Sequence, residues 1–339
     1  MWFVTGATGH IGNVLVRKLI ERGERVRVLK LPDECLVPIA GLDVDIVHGD
    51  ILDVDALFDA MQGVRGIFHL AGVISIMPGA DNLVRRVNIE GTRNILHVAS
   101  EMQVEKFVYT SSIHAIKRVE TGVIDESLPY DPGNPYGEYD RAKAEATLQV
   151  ERAAMAGLDA VIACPTGVIG PYDFRSSLMG EVIRAAAEKK PTLYVSGAYD
   201  FVDVRDVADG LITAAAKGRS GESYILSGSK VSVRYLLETV REITGTSFFK
   251  MRIPFDLARF AALFTPMYYN LAKVTPRFTP YSLEVLRSNS NISHEKATQE
   301  LGYHPRPLYE SIRDAVRWFM EQASARPAIG TLTHETFHI

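Results

Sequence analysis

A chain of 339 residues with 47% apolar and 23% charged side chains has the material for a large core and more than one lobe. Its formal net charge of -4 gives no electrostatic reason to expect a nucleic-acid or acidic-membrane partner. Its two cysteines, Cys35 and Cys164, are neither a disulfide framework nor a zinc cluster and fit a reducing compartment. The first residues already read as a strand, leaving no room for a signal peptide, so a cytoplasmic location is expected.

The first predicted strand, Trp2–Thr5, runs into Thr5-Gly6-Ala7-Thr8-Gly9-His10-Ile11-Gly12 and then into a helical pattern over 10–22. Three glycines between strand and helix describe a dinucleotide pyrophosphate site. Gly6 permits the tight turn, Gly9 lets the backbone approach the phosphates, Gly12 lets helix pack on strand, and the helix N-terminus offers unpaired N–H groups. Strand-like runs follow at Arg25–Leu29, Asp45–His48, Gly66–Leu70, Lys106–Thr110, Ala160–Cys164 and Ser223–Leu226, with helical spacers notably at 82–101 and 136–156. This alternation predicts an α/β fold, a Rossmann-type doubly wound parallel sheet.

After Pro165 the pattern loosens. Residues 166–200 are expected to leave the sheet, 201–228 to return to it, and 229–325 to complete a smaller, mostly helical substrate lobe. The expected organisation is a dinucleotide-binding domain of 1–165 plus 201–228, a substrate lobe of 166–200 plus 229–325, and a tail of 326–339 without apolar periodicity.

The chemistry is carried by Tyr139-Asp140-Arg141-Ala142-Lys143 together with Ser112. On a helix Tyr139 and Lys143 are i,i+4 neighbours, so an ammonium group lies near a phenol. A phenol titrates near pH ~10, and a nearby cation pulls that value down. Ser112 follows the apolar run Lys106-Phe107-Val108-Tyr109 at the carboxyl end of a predicted strand, where open α/β sheets bind ligands. The set describes proton exchange with an alcohol or carbonyl oxygen beside a hydride carrier.

Three other features read more plainly. Tyr269-Asn270-Leu271-Ala272-Lys273 repeats the Tyr/Lys spacing without a strand-end serine or glycine loop, and reads as an amphipathic helix face. His334-Glu335-Thr336-Phe337-His338 matches a zinc-hydrolase pattern at the end of the chain with no third ligand in view, so no metal site is expected. Phe255–Val274 is largely apolar but interrupted by Asp256, Arg259, Pro266 and Lys273. It reads as lobe core or as an apolar wall over the substrate, not as a membrane span.

Further motifs recur in order: Gly49-Asp50-Ile51, His69-Leu70-Ala71-Gly72, Asn88-Ile89-Glu90-Gly91-Thr92, Tyr109-Thr110-Ser111-Ser112, Pro165-Thr166-Gly167-Val168-Ile169-Gly170-Pro171 and Phe201-Val202-Asp203-Val204-Arg205-Asp206-Val207-Ala208. With them, residues 1 to about 325 resemble the extended short-chain dehydrogenase/reductase superfamily, the NAD-dependent epimerase/dehydratase family. Within it the likeness is to the dihydroflavonol 4-reductase and 3β-hydroxysteroid dehydrogenase group.

The resemblance implies cofactor contacts from Gly6, Thr8, Gly9, His10, Ile11 and Gly12, and from Asp50 and Ile51 at the adenine. It adds Leu70, Ala71, Gly72, Asn88 and Thr110, then Tyr139 and Lys143, with Pro165, Thr166, Gly167 and Val168 beside the nicotinamide. Lys143 would hold the ribose and tune Tyr139, Ser112 would orient the substrate oxygen, and His114 and Tyr136 are candidate substrate contacts. Relatives commonly pair through two long helices, here 82–101 and 136–156, so a homodimer is expected.

Cofactor choice turns on the end of the second strand, where an acid would bind a ribose 2′-hydroxyl and a cation a 2′-phosphate. The family's usual acidic position falls on Lys30, which favours NADP. The arginine of many NADP-dependent reductases is Leu31 here, and Asp33 and Glu34 follow, so NAD is the alternative.

The expected function is an NAD(P)-dependent reductase or dehydrogenase acting on a carbonyl or secondary alcohol of a small or medium apolar substrate. A sugar-nucleotide epimerase is one alternative, weakened because Gly167 stands where such enzymes usually carry Asn. The Asp-Glu pair of related dehydratases is Ile113-His114 here. A non-catalytic cofactor-binding sensor is another alternative, but such relatives usually lose the Tyr or Lys, and both are present.

Overall fold

A computed structural model describes residues 1–74, 80–245, 250–262 and 280–325. The strands are β1 (Trp2–Thr5), β2 (Val26–Lys30), β3 (Asp45–His48), β4 (Gly66–His69), β5 (Lys106–Thr110), β6 (Ala160–Pro165), β7 (Gly167–Ile169), β8 (Thr192–Val195), β9 (Ala198–Asp203), β10 (Ser223–Leu226), β11 (Ser229–Ser232) and β12 (Lys250–Ile253). Seven of them form one sheet in the order β10-β6-β5-β4-β1-β2-β3, and every pairing in it is parallel.

Both faces of this sheet are covered, so its inner strands are apolar throughout while successive side chains go to opposite cores. Phe3, Phe107 and Ile162 join one core, beneath Leu57, Ile95 and Val150. Val4, Val108 and Val161 join the other, beneath Leu15, Val207 and Leu211. β1 pairs with β2 on one side and β4 on the other, which makes the carboxyl end of β1 the place where strand order reverses and a crevice opens.

The second strand begins one residue later than predicted, because Trp2 pairs with Val26. Lys30 is therefore the last residue of the strand rather than the first beyond it. The helix expected over 82–101 is three pieces: Asp81–Arg85, a π-helical turn Arg86–Gly91, and Thr92–Glu101. A Cβ on Gly91 would lie 2.4 Å from Ile51 Cδ1, so a side chain there would push the Ile51 side chain aside. Helix Glu138–Met155 starts at Gly137, just after Pro135.

Beyond β6 the chain leaves the central sheet and builds a three-stranded sheet, β11-β9-β7, and a two-stranded one, β12-β8, neither of which the apolar pattern announced. Of residues 201–228, Ser223–Leu226 rejoins the central sheet and Phe201–Asp203 stays in the three-stranded one. Helices Leu178–Ala187, Val233–Thr244 and Leu308–Ala325 pack beside it through Ile183, Leu236, Val240, Ile312 and Val316. In the apolar stretch from Phe255, helix Phe255–Ala262 buries Ala258 and Ala262, whereas Leu257 and Phe260 are exposed. The second Tyr/Lys pair, Tyr269 and Lys273, and the tail 326–339 with its His334 and His338 lie outside the described residues. Among the described residues no helix is long and apolar enough to cross a membrane.

Candidate active site

The glycine loop leaves β1 with Gly6 at φ +71°, where a Cβ would lie 2.7 Å from Ala71 N at the end of β4. A Cβ on Gly12 would lie 2.1 Å from Gly6 O, so the first turn of helix His10–Glu21 sits directly on the loop. A Cβ on Gly9 would meet only Gly6 O, at 3.2 Å. That leaves a bare cradle at a helix N-terminus, the form that fits a pyrophosphate.

Behind the cradle a buried chain of hydrogen bonds fixes the neighbouring strand ends. Thr5 Oγ1 accepts from Ala71 N at 3.1 Å and bonds His69 Nδ1 at 2.7 Å, while His69 Nε2 meets Thr92 Oγ1 at 3.0 Å. Burial pulls the His69 pKa down to about 3, so the ring is neutral. Asn88 accepts from Val73 N and donates to Val73 O, both at 2.9 Å. Its amide therefore acts on the 71–73 backbone. His10 Nε2 bonds Pro171 O at 2.9 Å, tying the loop to the segment after β7.

At the end of β2, Lys30 is buried and Nζ donates to Pro32 O at 2.9 Å and Glu34 O at 3.1 Å. Two of its three N–H groups are thus engaged by the loop after β2. Glu34 turns back to the glycine loop, accepting from Thr8 Oγ1, from Leu31 N at 3.2 Å and from Arg175 Nη2 at 2.6 Å. Arg175 Nη2 also donates to Thr8 Oγ1 at 2.7 Å. Sequence reasoning missed Arg175, which comes from a segment more than a hundred residues away. Asp50 accepts from Leu52 N at 3.0 Å, and Ile51 is buried against Gly91.

Ser112, Tyr139 and Lys143 converge at the carboxyl end of β5. Ser112 Oγ accepts from His114 N at 3.2 Å, which caps the short turn Ile113–Ala115 and holds the hydroxyl. Tyr139 lies beside Ser112, close enough for that hydroxyl to stabilise its ionised form. Lys143 Nζ donates to Thr110 O at 2.8 Å and Tyr109 OH at 3.3 Å. Burial lowers the Lys143 pKa to about 8. The Tyr139 phenol departs from expectation: burial pushes its pKa above the ordinary tyrosine value, with the Ser112 hydrogen bond offsetting part of the rise and the Asp140 carboxylate adding to it. The ammonium expected to lower it is engaged by Thr110 and Tyr109 instead, and desolvation, which the spacing could not show, is the largest effect on a group this deep.

Beside this trio is a cluster of which the sequence marked only His114 and Tyr136. Asp140, fully buried, accepts from Arg118 Nη2 at 2.7 Å and from Tyr281 OH at 2.6 Å. Arg118 Nη2 also reaches His114 Nδ1 at 3.2 Å, and His114 Nε2 bonds Tyr199 OH at 2.9 Å. Tyr136 lies under the Arg118 guanidinium, with its ring centre 4.0 Å from Cζ. Burial lowers the His114 pKa to about 4, despite the Asp140 carboxylate. Both ring nitrogens of His114 are thus engaged by protein, and its neighbours Arg118, Asp140, Tyr199 and Tyr281 are the residues that sequence reasoning missed. An aspartate in the first turn of a helix reads locally as a partner of the helix dipole, so nothing marked Asp140 as a buried hub.

Just before β7, Thr166 Oγ1 donates to Asp200 at 2.6 Å. A Cβ on Gly167 would come within 2.9 Å of Asp200 O and 3.0 Å of Tyr199 Cδ1. β7 can therefore lie against β9 only without a side chain there. Thr110 Oγ1 is buried with no partner among the described residues.

A model of the NAD dependent epimerase/dehydratase family matches residues 2–227. The chain is 35% identical over 321 residues to sterol demethylase protein B of Methylococcus capsulatus, covering 94% of this chain and 98% of that one. It is 34% identical over 324 residues to a putative dihydroflavonol 4-reductase of Synechocystis sp., covering 94% of each. The crystal structure of gox2253 superposes with a TM-score of 0.83 at 32% identity, covering 96% of this chain and 99% of that one.

Proposed function

We propose, on the premise that this chain belongs to the NAD-dependent epimerase/dehydratase family, that it is an NAD(P)-dependent reductase or dehydrogenase of a carbonyl or secondary alcohol on a small or medium apolar substrate. The observation that carries this reading is the meeting of Ser112, Tyr139 and Lys143 at one strand end, beside a glycine cradle shaped for a dinucleotide. When bound, the nicotinamide supplies or accepts the hydride. Ser112 orients the substrate oxygen, Tyr139 exchanges the proton with it, and Lys143 holds the ribose. The raised pKa of Tyr139 keeps the phenol protonated at neutral pH, the form that gives a proton to an alkoxide as a carbonyl is reduced.

Position 167 argues against a sugar-nucleotide substrate, because its neighbours leave no room for a side chain that could reach a nucleotide phosphate. Cofactor consumption against a panel of ketones, aldehydes, flavonoids and steroid ketones tests the reading. Turnover of none of them, or inversion of a UDP-sugar carbinol without net cofactor consumption, would overturn it.

NADP is the proposed cofactor, with NAD the alternative, because the buried Lys30 closes β2 where an acid would repel a 2′-phosphate, and Arg175 reaches the same loop at Glu34. Lys30→Met keeps the side-chain stem and removes the charge. It should weaken NADPH binding about tenfold more than NADH binding, a difference of about 1.4 kcal/mol. Titration of both cofactors into both proteins measures this, and equal losses would show that Lys30 does not read the phosphate.

The two parts of the molecule proposed to divide the work are residues 1–165 plus 201–228, for the dinucleotide, and 166–200 plus 229–325, for the substrate. A cytoplasmic homodimer is also proposed. Of the small residues on helix Glu138–Met155 expected to face a second copy, Ala142, Ala146 and Val150 are buried in this chain's own core, which leaves Ala153, Ala154 and the exposed Met155 for close approach. Sedimentation at micromolar concentration should give twice the chain mass, and a monomer alone would refute the pairing.

A further inference from the structure

Arginine can only donate hydrogen bonds. Arg118 Nη2 lies 3.2 Å from His114 Nδ1, so that nitrogen must be the acceptor and the ring proton must sit on Nε2. The opposite tautomer would set N–H against N–H at that distance, with the nearest alternative acceptor, Asp140 Oδ2, 3.7 Å away and beyond a hydrogen bond. With the proton on Nε2, His114 donates to the Tyr199 oxygen at 2.9 Å. The Tyr199 hydroxyl proton is then left to donate elsewhere, and no acceptor for it is present among the described residues.

We propose that Tyr199, though buried, is a second substrate-binding hydroxyl, donating to a neutral acceptor oxygen on the substrate other than the reacting one, with Arg118 and His114 as positioning residues that keep its proton off the imidazole. Its place fits that role. The Tyr199 ring lies against Gly167 on the nicotinamide side and meets His114 edge to edge, with ring centres 5.9 Å apart and planes 7° from parallel. His114, which holds Tyr199, also donates its backbone N–H to Ser112 Oγ at 3.2 Å, so the cluster adjoins the trio. The reacting oxygen already has Ser112 and Tyr139, so a further donor serves a second oxygen. A neutral acceptor is selected because Arg118 and Asp140 cancel each other's charge at 2.7 Å and His114 is uncharged. The substrate class is thus an oxygen-substituted ketone or its alcohol, a narrower form of the reductase reading, on which the proposal rests.

The first test needs no substrate. Imidazole 15N spectra of the wild-type protein, with the His114 signals assigned by their loss in His114→Gln, should show the neutral Nε2–H tautomer at pH 7. The Nδ1–H tautomer would overturn the proposal, because Tyr199 would then have to donate to His114. The second test is kinetic. Tyr199→Phe should raise KM about 5- to 10-fold for 2-hydroxyacetophenone or the best oxygen-substituted ketone of the panel, and leave KM for its deoxy counterpart and the Kd for cofactor unchanged. Arg118→Met should reproduce that selective rise, and adding it to Tyr199→Phe should add little. Equal KM changes for both ketones, or none, would overturn the proposal even if Tyr139→Phe abolishes turnover. If instead Tyr139→Phe is fully active, the reductase reading itself fails while the tautomer result stands apart from it.

Discussion

Tyr139→Phe should lower turnover by about 10²- to 10⁴-fold, the usual contribution of a positioned proton donor, and leave cofactor affinity within about twofold. The substitution removes one hydroxyl and keeps the ring that packs against Val84, Ile89 and Ala142. The fold should therefore survive, and the loss should fall on kcat. Cofactor deuterated at nicotinamide C4 should deliver its label to the carbinol carbon of the product with the wild-type enzyme. Near-normal turnover by the Phe variant would remove Tyr139 from the proton-transfer step.

Lys143→Met should damage both turnover and binding. A charge-assisted contact to the ribose accounts for about 10- to 100-fold in cofactor affinity, and kcat should fall with it. The same variant has a second readout in the cofactor-free protein. The Lys143 pKa is lowered to about 8 when folded, below its ordinary value. Between pH 8 and the unfolded pKa near ~10.4 the unfolded chain holds a proton that the folded one has released. The lysine thus makes stability rise with pH across that window, and the burial penalty is felt in full below pH 8. Thermal unfolding from pH 7 to 10 should show a shallower rise for Lys143→Met than for wild type. An identical slope would mean that the ammonium is not desolvated as its surroundings imply.

Both variants act on residues that local patterns could find. Tyr139 and Lys143 share a helix face because of the 3.6-residue repeat, whatever the helix packs against. Gly6 and Gly12 are marked by steric needs of a strand-to-helix turn that extend only a few residues. The parallel sheet follows from apolar runs alternating with helical spacers, and those runs stand within a residue or so of β1 to β6 and β10. The strands after Pro165 were not readable in the same way. β7 is three residues long, too short for a period-2 pattern to register, and it takes its place only by pairing with β9.

What the tertiary structure alone decided is the state of the charged and polar groups. Whether the Tyr139 phenol rises or falls in pKa depends on how much water the surrounding elements exclude, and burial raises it, offset in part by Ser112 rather than by the ammonium that sequence spacing put on the same helix face. Lys30 sits at the position counted for it, yet two of its donors are drawn onto Pro32 and Glu34 by the turn that follows. Asp140 meets Tyr281 and His114 meets Tyr199 across long stretches of chain. Backbone sterics and side-chain periodicity are local, so the sequence by itself determined the Rossmann-type sheet, the glycine loop and the Ser-Tyr-Lys set. Desolvation and hydrogen-bond partnership depend on every element packed around a group, so only the assembled fold determined which of those groups are charged and which are engaged by their neighbours.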